Sequence, residues 1–143
     1  MTFEHVSENF FPLIKEWFVN DSEGIKYLSS YSEPANWLKL IDNKYRFGWI
    51  LIVDSSEIGL LDLEISSNKI GYFSILISRD YRNKGYAQKA LEKLFMESKR
   101  LGVITLEAGC EQDNIAIQNT LTSKGFKIIG HDKDDFIRFS KEL

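Results

Sequence analysis

The stretch from Ile75 to Arg100, ILISRDYRNKGYAQKALEKLFMESKR, constrains the fold more than any other part of the chain. Ile75, Leu76 and Ile77 follow one another without polar alternation, as in a strand covered on both faces. From Gly85 onward the period becomes helical. Ala87, Ala90, Leu91, Leu94 and Phe95 fall on one stripe, and Gln88, Lys89, Glu92, Lys93 and Lys99 largely on the other. An apolar strand therefore runs through a short basic turn directly into a long helix, which predicts a mixed α/β domain.

That turn, Arg82-Asn83-Lys84-Gly85-Tyr86-Ala87, has the parts of an anion cradle. The first turn of a helix leaves main-chain N–H groups unpaired and carries the positive end of the helix dipole, so a phosphate placed there meets ready donors. Gly85 lets a ligand approach the backbone closely and Ala87 does not obstruct it. Arg82 and Lys84 add positive charge for a ligand with more than one phosphate.

The rest of the chain reads as support for this turn. Phe3 to Val6 predicts a short strand, and Ser7 caps a helix running to about Val19. Residues 20–24 form a linker. Two helical pieces follow, Ile25 to Ser30 and Glu33 to Ile41, the second with Ser32 as cap and Pro34 in its first turn. Trp49 to Val53 and Ile58 to Ile65 predict a hairpin, followed by a strand from Ile70 to Ile77. After the long helix come a strand from Val103 to Ala108, a helix from Asn114 to Ser123, and a final pair of strands, Phe126 to Ile129 and Phe136 to Phe139. The whole of residues 1–143 reads as one domain, a length that buries a sizeable core.

Charge and cysteine content remove several functions. The net charge is −3 and the basic residues are interleaved with acids, which argues against nucleic-acid binding. A single cysteine, Cys110, excludes an internal disulfide, and with only two histidines no usual zinc ligand set is available, so no metal is expected. No apolar run approaches the length of a membrane span and the start lacks a signal-peptide pattern, so a soluble cytoplasmic protein is the expectation.

Arg82-x-x-Gly85-x-Ala87 on a strand-to-helix turn resembles the acyl-CoA pyrophosphate loop, (Q/R)-x-x-G-x-(G/A), of the GNAT superfamily of N-acetyltransferases. Downstream, Asp113-Asn114-Ile115-Ala116 followed by Lys124-Gly125-Phe126 is similar to the family's N-x-x-A … G-F block. The resemblance implies a GNAT-like, mostly antiparallel sheet that splays open at its centre, flanked by helices. It also implies acetyl-CoA as cosubstrate and direct attack of a primary amine, a small molecule or a protein N-terminus, on the thioester. Main-chain groups of Leu76 and Ile77 would pair with the pantetheine amides, the loop residues Arg82, Asn83, Lys84, Gly85, Tyr86 and Ala87 would hold the pyrophosphate, and Asn114 would reach the arm near the thioester. Tyr27, Tyr31 and Trp37 fall in the part that lies over the acceptor in the family. The resemblance leaves room for a homodimer.

The catalytic groups fit the family less well. Leu121 occupies the place of its tyrosine acid; a leucine there is similar to the ribosomal-protein N-terminal acetyltransferase branch, although Ile117 replaces that branch's serine. The family's glutamate position falls near Tyr72. Of the nearby acids Asp62, Glu64, Glu107 and Glu111, Asp62 and Glu64 share the wetter face of their strand, and Glu64 is the choice if one of them acts as general base; an unassisted route, with water taking the proton, is the alternative. A non-catalytic acyl-CoA sensor is the alternative function. A nucleotide-binding P-loop is disfavoured, because Gly85-x-Ala87 lacks the Gly-Lys-Ser/Thr of that motif.

Overall fold

The computed structural model describes every residue except Asp42. In chain order the elements are β1 (Thr2–His5), a 3-10 turn over Glu8–Phe10, α1 (Phe11–Phe18), α2 (Ser22–Leu28), a second 3-10 turn (Ser29–Tyr31) and α3 (Pro34–Ile41). Then follow β2 (Arg46–Val53), β3 (Ser56–Ile65), β4 (Ile70–Ile77), a third 3-10 turn (Arg79–Tyr81), α4 (Tyr86–Arg100), β5 (Thr105–Glu111), α5 (Ile115–Ser123), β6 (Lys127–His131) and β7 (Phe136–Glu142). The strands form one sheet in the order β1-β2-β3-β4-β5-β7-β6. Every neighbouring pair is antiparallel except β4 and β5, which α4 connects.

Helices cover both faces of the sheet. On one, Leu91 and Leu94 of α4, Leu121 of α5 and Phe126 pack with Leu61, Leu63, Phe73 and Phe139. On the other, Ile14, Phe18, Tyr31 and Trp37 from the N-terminal segments pack with Ile50, Leu60 and Leu76. Strand β3 lies between the two layers, so residues 58–63 are buried on both faces, Asp62 included.

The structure corrects two expectations here. Residues 20–24 are not all linker, because α2 begins at Ser22. The face of β3 holding Asp62 is not wet: Asp62 is buried beneath the N-terminal helices. Its carboxylate accepts from Tyr31 Oη, Trp37 Nε1 and both Nε and Nη2 of Arg46, each at 3.0 Å. Four donors on two oxygens make Asp62 a fastener of the helical layer to the sheet and leave it no part in proton transfer.

The ladder between β4 and β5 decides where a site can form. It has three rungs, Ile70↔Thr105, Gly71↔Leu106 and Tyr72↔Glu107, and then stops. Beyond it β4 continues against β3 as far as Ile77, while β5 continues against β7 through Glu111↔Phe136. The two central strands therefore diverge as a wedge. Strand β5 runs three residues past its predicted end because β7 carries it along after β4 has left.

Candidate active site

The wedge opens into a cavity of about 660 Å³, walled by residues 73–77 of β4, residues 108–111 of β5, the cradle turn, and parts of α2 and α5. Its strand walls have defined polarity. Ser66 N–H donates to Ile70 O at 2.9 Å and Ser78 N–H to Ile58 O at 2.8 Å, so the even-numbered residues of β4 turn their main chain toward β3. Leu76 is among them, and its peptide groups belong to the sheet. The main chain of Ile75 and Ile77 faces the wedge instead, and the Ile77 carbonyl already accepts from Arg82 Nε at 2.8 Å. The edge open to a ligand is therefore Ile75 with the Ile77 N–H, in place of Leu76.

At the wide end the turn forms the cradle. Asn83 and Gly85 both have positive φ, 61° and 81°, which curls successive peptide N–H groups toward one concavity. Among the described residues, no protein group accepts from the main-chain N–H of residues 83–88; the first internal bond of the helix is Lys89 N–H to Gly85 O. A Cβ built on Gly85 would meet nothing within 4 Å, so the space above the cradle is clear. Asn83, Gly85, Tyr86 and Ala87 line the cavity, and an anionic diphosphate fits this donor set. Lys84 points away, donating Nζ to Asp80 O at 3.2 Å and lying 5.7 Å from the Tyr81 ring centre.

Arg82 borders the cavity but its guanidinium is already engaged. Nη1 and Nη2 donate to the two carboxylate oxygens of Asp21 at 2.9 and 2.6 Å, and Nη1 lies 3.4 Å from Glu23 Oε2. The Arg82 guanidinium holds the Asp21 carboxyl below the usual carboxylate range.

On the opposite wall, Asn114 caps α5, its side chain accepting from Ile117 N–H at 3.5 Å while it lines the cavity. Leu121 does not reach the cavity; it is fully buried in the core. Two tyrosines of the N-terminal segments do reach it: Tyr27, whose hydroxyl donates to Asp113 at 3.0 Å, and Tyr31, which donates to Asp62. Burial, and then the Asp62 charge, raise the Tyr31 phenol so that it stays protonated. Trp37 is a core residue beneath them.

The structure places Glu64 away from the cavity, with a side chain 59% exposed and 3.7 Å from Arg46 Nη1. Glu107 sits at the last rung and pairs with Arg138 Nη2 at 2.7 Å. Two carboxylates do line the cavity, Glu23 and Glu111. Glu23 lies against Arg82, whereas Glu111 has no ion pair or side-chain hydrogen bond among the described residues. Cys110 also lines the wall, and burial pushes its thiol up to about 11, so it is protonated and inert at neutral pH.

Sequence reasoning missed the α2 wall (Glu23, Gly24 and Leu28) and the α5 wall (Asn119 and Thr120). Asp21-Ser22-Glu23 is a helix-start signal and points to the first.

A family model described as "Acetyltransferase (GNAT) domain" matches residues 4–127. No curated protein matches the chain in sequence. Solved structures do match in fold. Spermidine N-acetyltransferase from Vibrio cholerae, in complex with CoA and spermine, is 18% identical with a TM-score of 0.83, covering 99% of this chain and 94% of that one. RimL, a ribosomal L7/L12 α-N-protein acetyltransferase, is 15% identical with a TM-score of 0.86, covering 99% and 89%. An aminoglycoside acetyltransferase in complex with coenzyme A is 12% identical with a TM-score of 0.84, covering 99% and 94%. Among the described residues no cluster of metal-ligating side chains occurs, and no helix is long and apolar enough to cross a membrane.

Proposed function

Since the chain belongs to the GNAT acetyltransferase family, we propose that it transfers the acetyl group of acetyl-CoA to a primary amine. The observation that carries this reading is the coincidence of two features: the central strands part after three rungs, and they part beside six consecutive peptide N–H groups with no protein acceptor among the described residues. The amides of residues 83–88 hold the diphosphate. The Ile75 main chain and the Ile77 N–H receive the pantetheine arm as an added strand edge would. The acyl end lies in the wedge toward Asn114.

The acceptor enters from the face covered by α2 and the Ser29–Tyr31 turn. An amine of ordinary basicity arrives protonated and cannot attack until it loses that proton. Among the described residues Glu111 is the cavity-lining carboxylate without an ion-pair partner, so it receives the proton directly or through one water. Attack of the free amine on the thioester carbon then forms the C–N bond and breaks the C–S bond, and the second proton lost by the nitrogen passes to the departing thiolate, which leaves as the free thiol.

The test is thiol release from acetyl-CoA on addition of an amine panel containing polyamines, aminoglycosides and peptides with free N-termini. Release with at least one amine is the expected result. Absence of coenzyme A binding would sink the proposal. A second reading, an acyl-CoA sensor, is favoured by two observations: Leu121 is in the core, and both acceptor-side tyrosine hydroxyls already donate to carboxylates. Tight coenzyme A binding with no turnover across the panel would select it.

A further inference from the structure

We infer that Arg82 is a positioning residue, a brace that holds the acceptor wall against the acyl-CoA loop, and that it is not a ligand of the diphosphate. The inference rests on acetyl-CoA being the molecule in the wedge. Arg82 has five N–H donors, and they join two parts of the protein that are distant from each other in sequence. Nε fixes the carbonyl of Ile77 at the end of β4, and the two Nη groups fork onto Asp21. Asp21 is only 2% exposed and stands one residue before α2, which contributes Glu23, Gly24, Tyr27 and Leu28 to the cavity.

A second tie runs parallel, from Arg79 Nη1 to Asn20 O at 2.9 Å. The start of α2 is therefore fastened to the strand-to-helix turn, and the pose of its cavity wall follows from that joint.

The alternative is for the guanidinium to swing onto the diphosphate. That would strip the buried Asp21 of its bidentate partner and leave it only the more distant Arg79 charge, and breaking a buried pair costs more than an extra contact to an anion already served by open amides. A lysine cannot replace the brace, because one ammonium does not span both Asp21 oxygens and the Ile77 carbonyl. The chemistry at the thioester does not touch Arg82, so the loss of the brace appears on the amine side.

The experiment compares Asp21→Asn, Arg82→Gln, Arg82→Lys and the Asp21→Asn/Arg82→Gln double variant. Coenzyme A affinity is measured by calorimetry, amide hydrogen exchange over residues 22–28 with coenzyme A bound, and KM and kcat for the best amine of the panel. The brace predicts that all four variants exchange at least tenfold faster over residues 22–28. Amine KM rises about tenfold with kcat nearly unchanged, and coenzyme A affinity moves less than about threefold. The double variant is no worse than either single one, because both remove the same joint.

A phosphate ligand predicts different signs. Asp21→Asn would free the guanidinium and tighten coenzyme A binding, Arg82→Gln would weaken it tenfold or more, and Arg82→Lys would restore it. Either of the first two overturns the inference, as does unchanged exchange over residues 22–28 in Arg82→Lys, the variant that keeps the charge. Wild-type protein that binds no coenzyme A would instead overturn the reading of the site. Binding without turnover leaves the exchange and calorimetric arms deciding the role of Arg82.

Discussion

Single carboxylates of this chain have distinct roles that their surroundings assign. Asp62 has all its acceptor capacity filled by Tyr31, Trp37 and Arg46 inside the protein. Asp62→Ala would strand Arg46 and two further donors, so it should cost about 3–5 kcal/mol, read as a lower midpoint of urea unfolding. Glu111 lines the cavity with no side-chain partner among the described residues. Glu111→Gln should lower kcat with the amine by roughly a hundredfold, in keeping with loss of a general base, while coenzyme A affinity stays unchanged. Glu64→Gln, on the exposed flank, should leave kcat within about twofold; an equal loss in both variants would remove the distinction between them. At the cradle, Gly85→Glu places a charged side chain in the clear space above the open amides. It should abolish coenzyme A binding by calorimetry, and the strain of a side chain at φ 81° adds about 1–2 kcal/mol of lost stability.

At the scale of elements, the wedge exists because β4 and β5 each have a better partner. Strand β4 stays in register with β3 along its whole length, and β5 with β7. The β3–β4 contact is so close that a Cβ on Gly59 would lie 2.1 Å from the carbonyl oxygen of Leu76. Gly59→Ala must push the strands apart there, at a cost of about 1–3 kcal/mol. Because Leu76 lies between the two residues that face the wedge, coenzyme A affinity should fall with stability, and calorimetry on the folded variant checks this. The strand-to-helix stretch around the turn was legible because its apolar run and helical stripe are long and unambiguous. The beginning of α2 was not, since a seven-residue helix carrying one buried residue, Gly24, leaves little periodic signal.

For the whole molecule, stability should depend on ligand and on acid in directions the structure sets. Coenzyme A at a hundred times its Kd should add about 2.7 kcal/mol, raising Tm by roughly 5–10 °C in a scanning calorimeter. Asp21 has its carboxyl lowered by Arg82, so its contribution is fully present above the ordinary value of 3.8 and is lost as pH falls from there through the lowered native value. Arg82→Gln removes that lowering and should move acid unfolding, followed by tryptophan fluorescence, to higher pH. What the sequence determined by itself is what local chemistry can encode: a strand passing into a helix through a glycine turn, and the succession of strands and helices along the chain. Tertiary structure alone decided which acids are free, which β4 peptides face the wedge, and that Arg82 is committed to Asp21. Those outcomes depend on ladder parity and on ion pairs between residues about sixty positions apart, and a one-dimensional pattern contains neither.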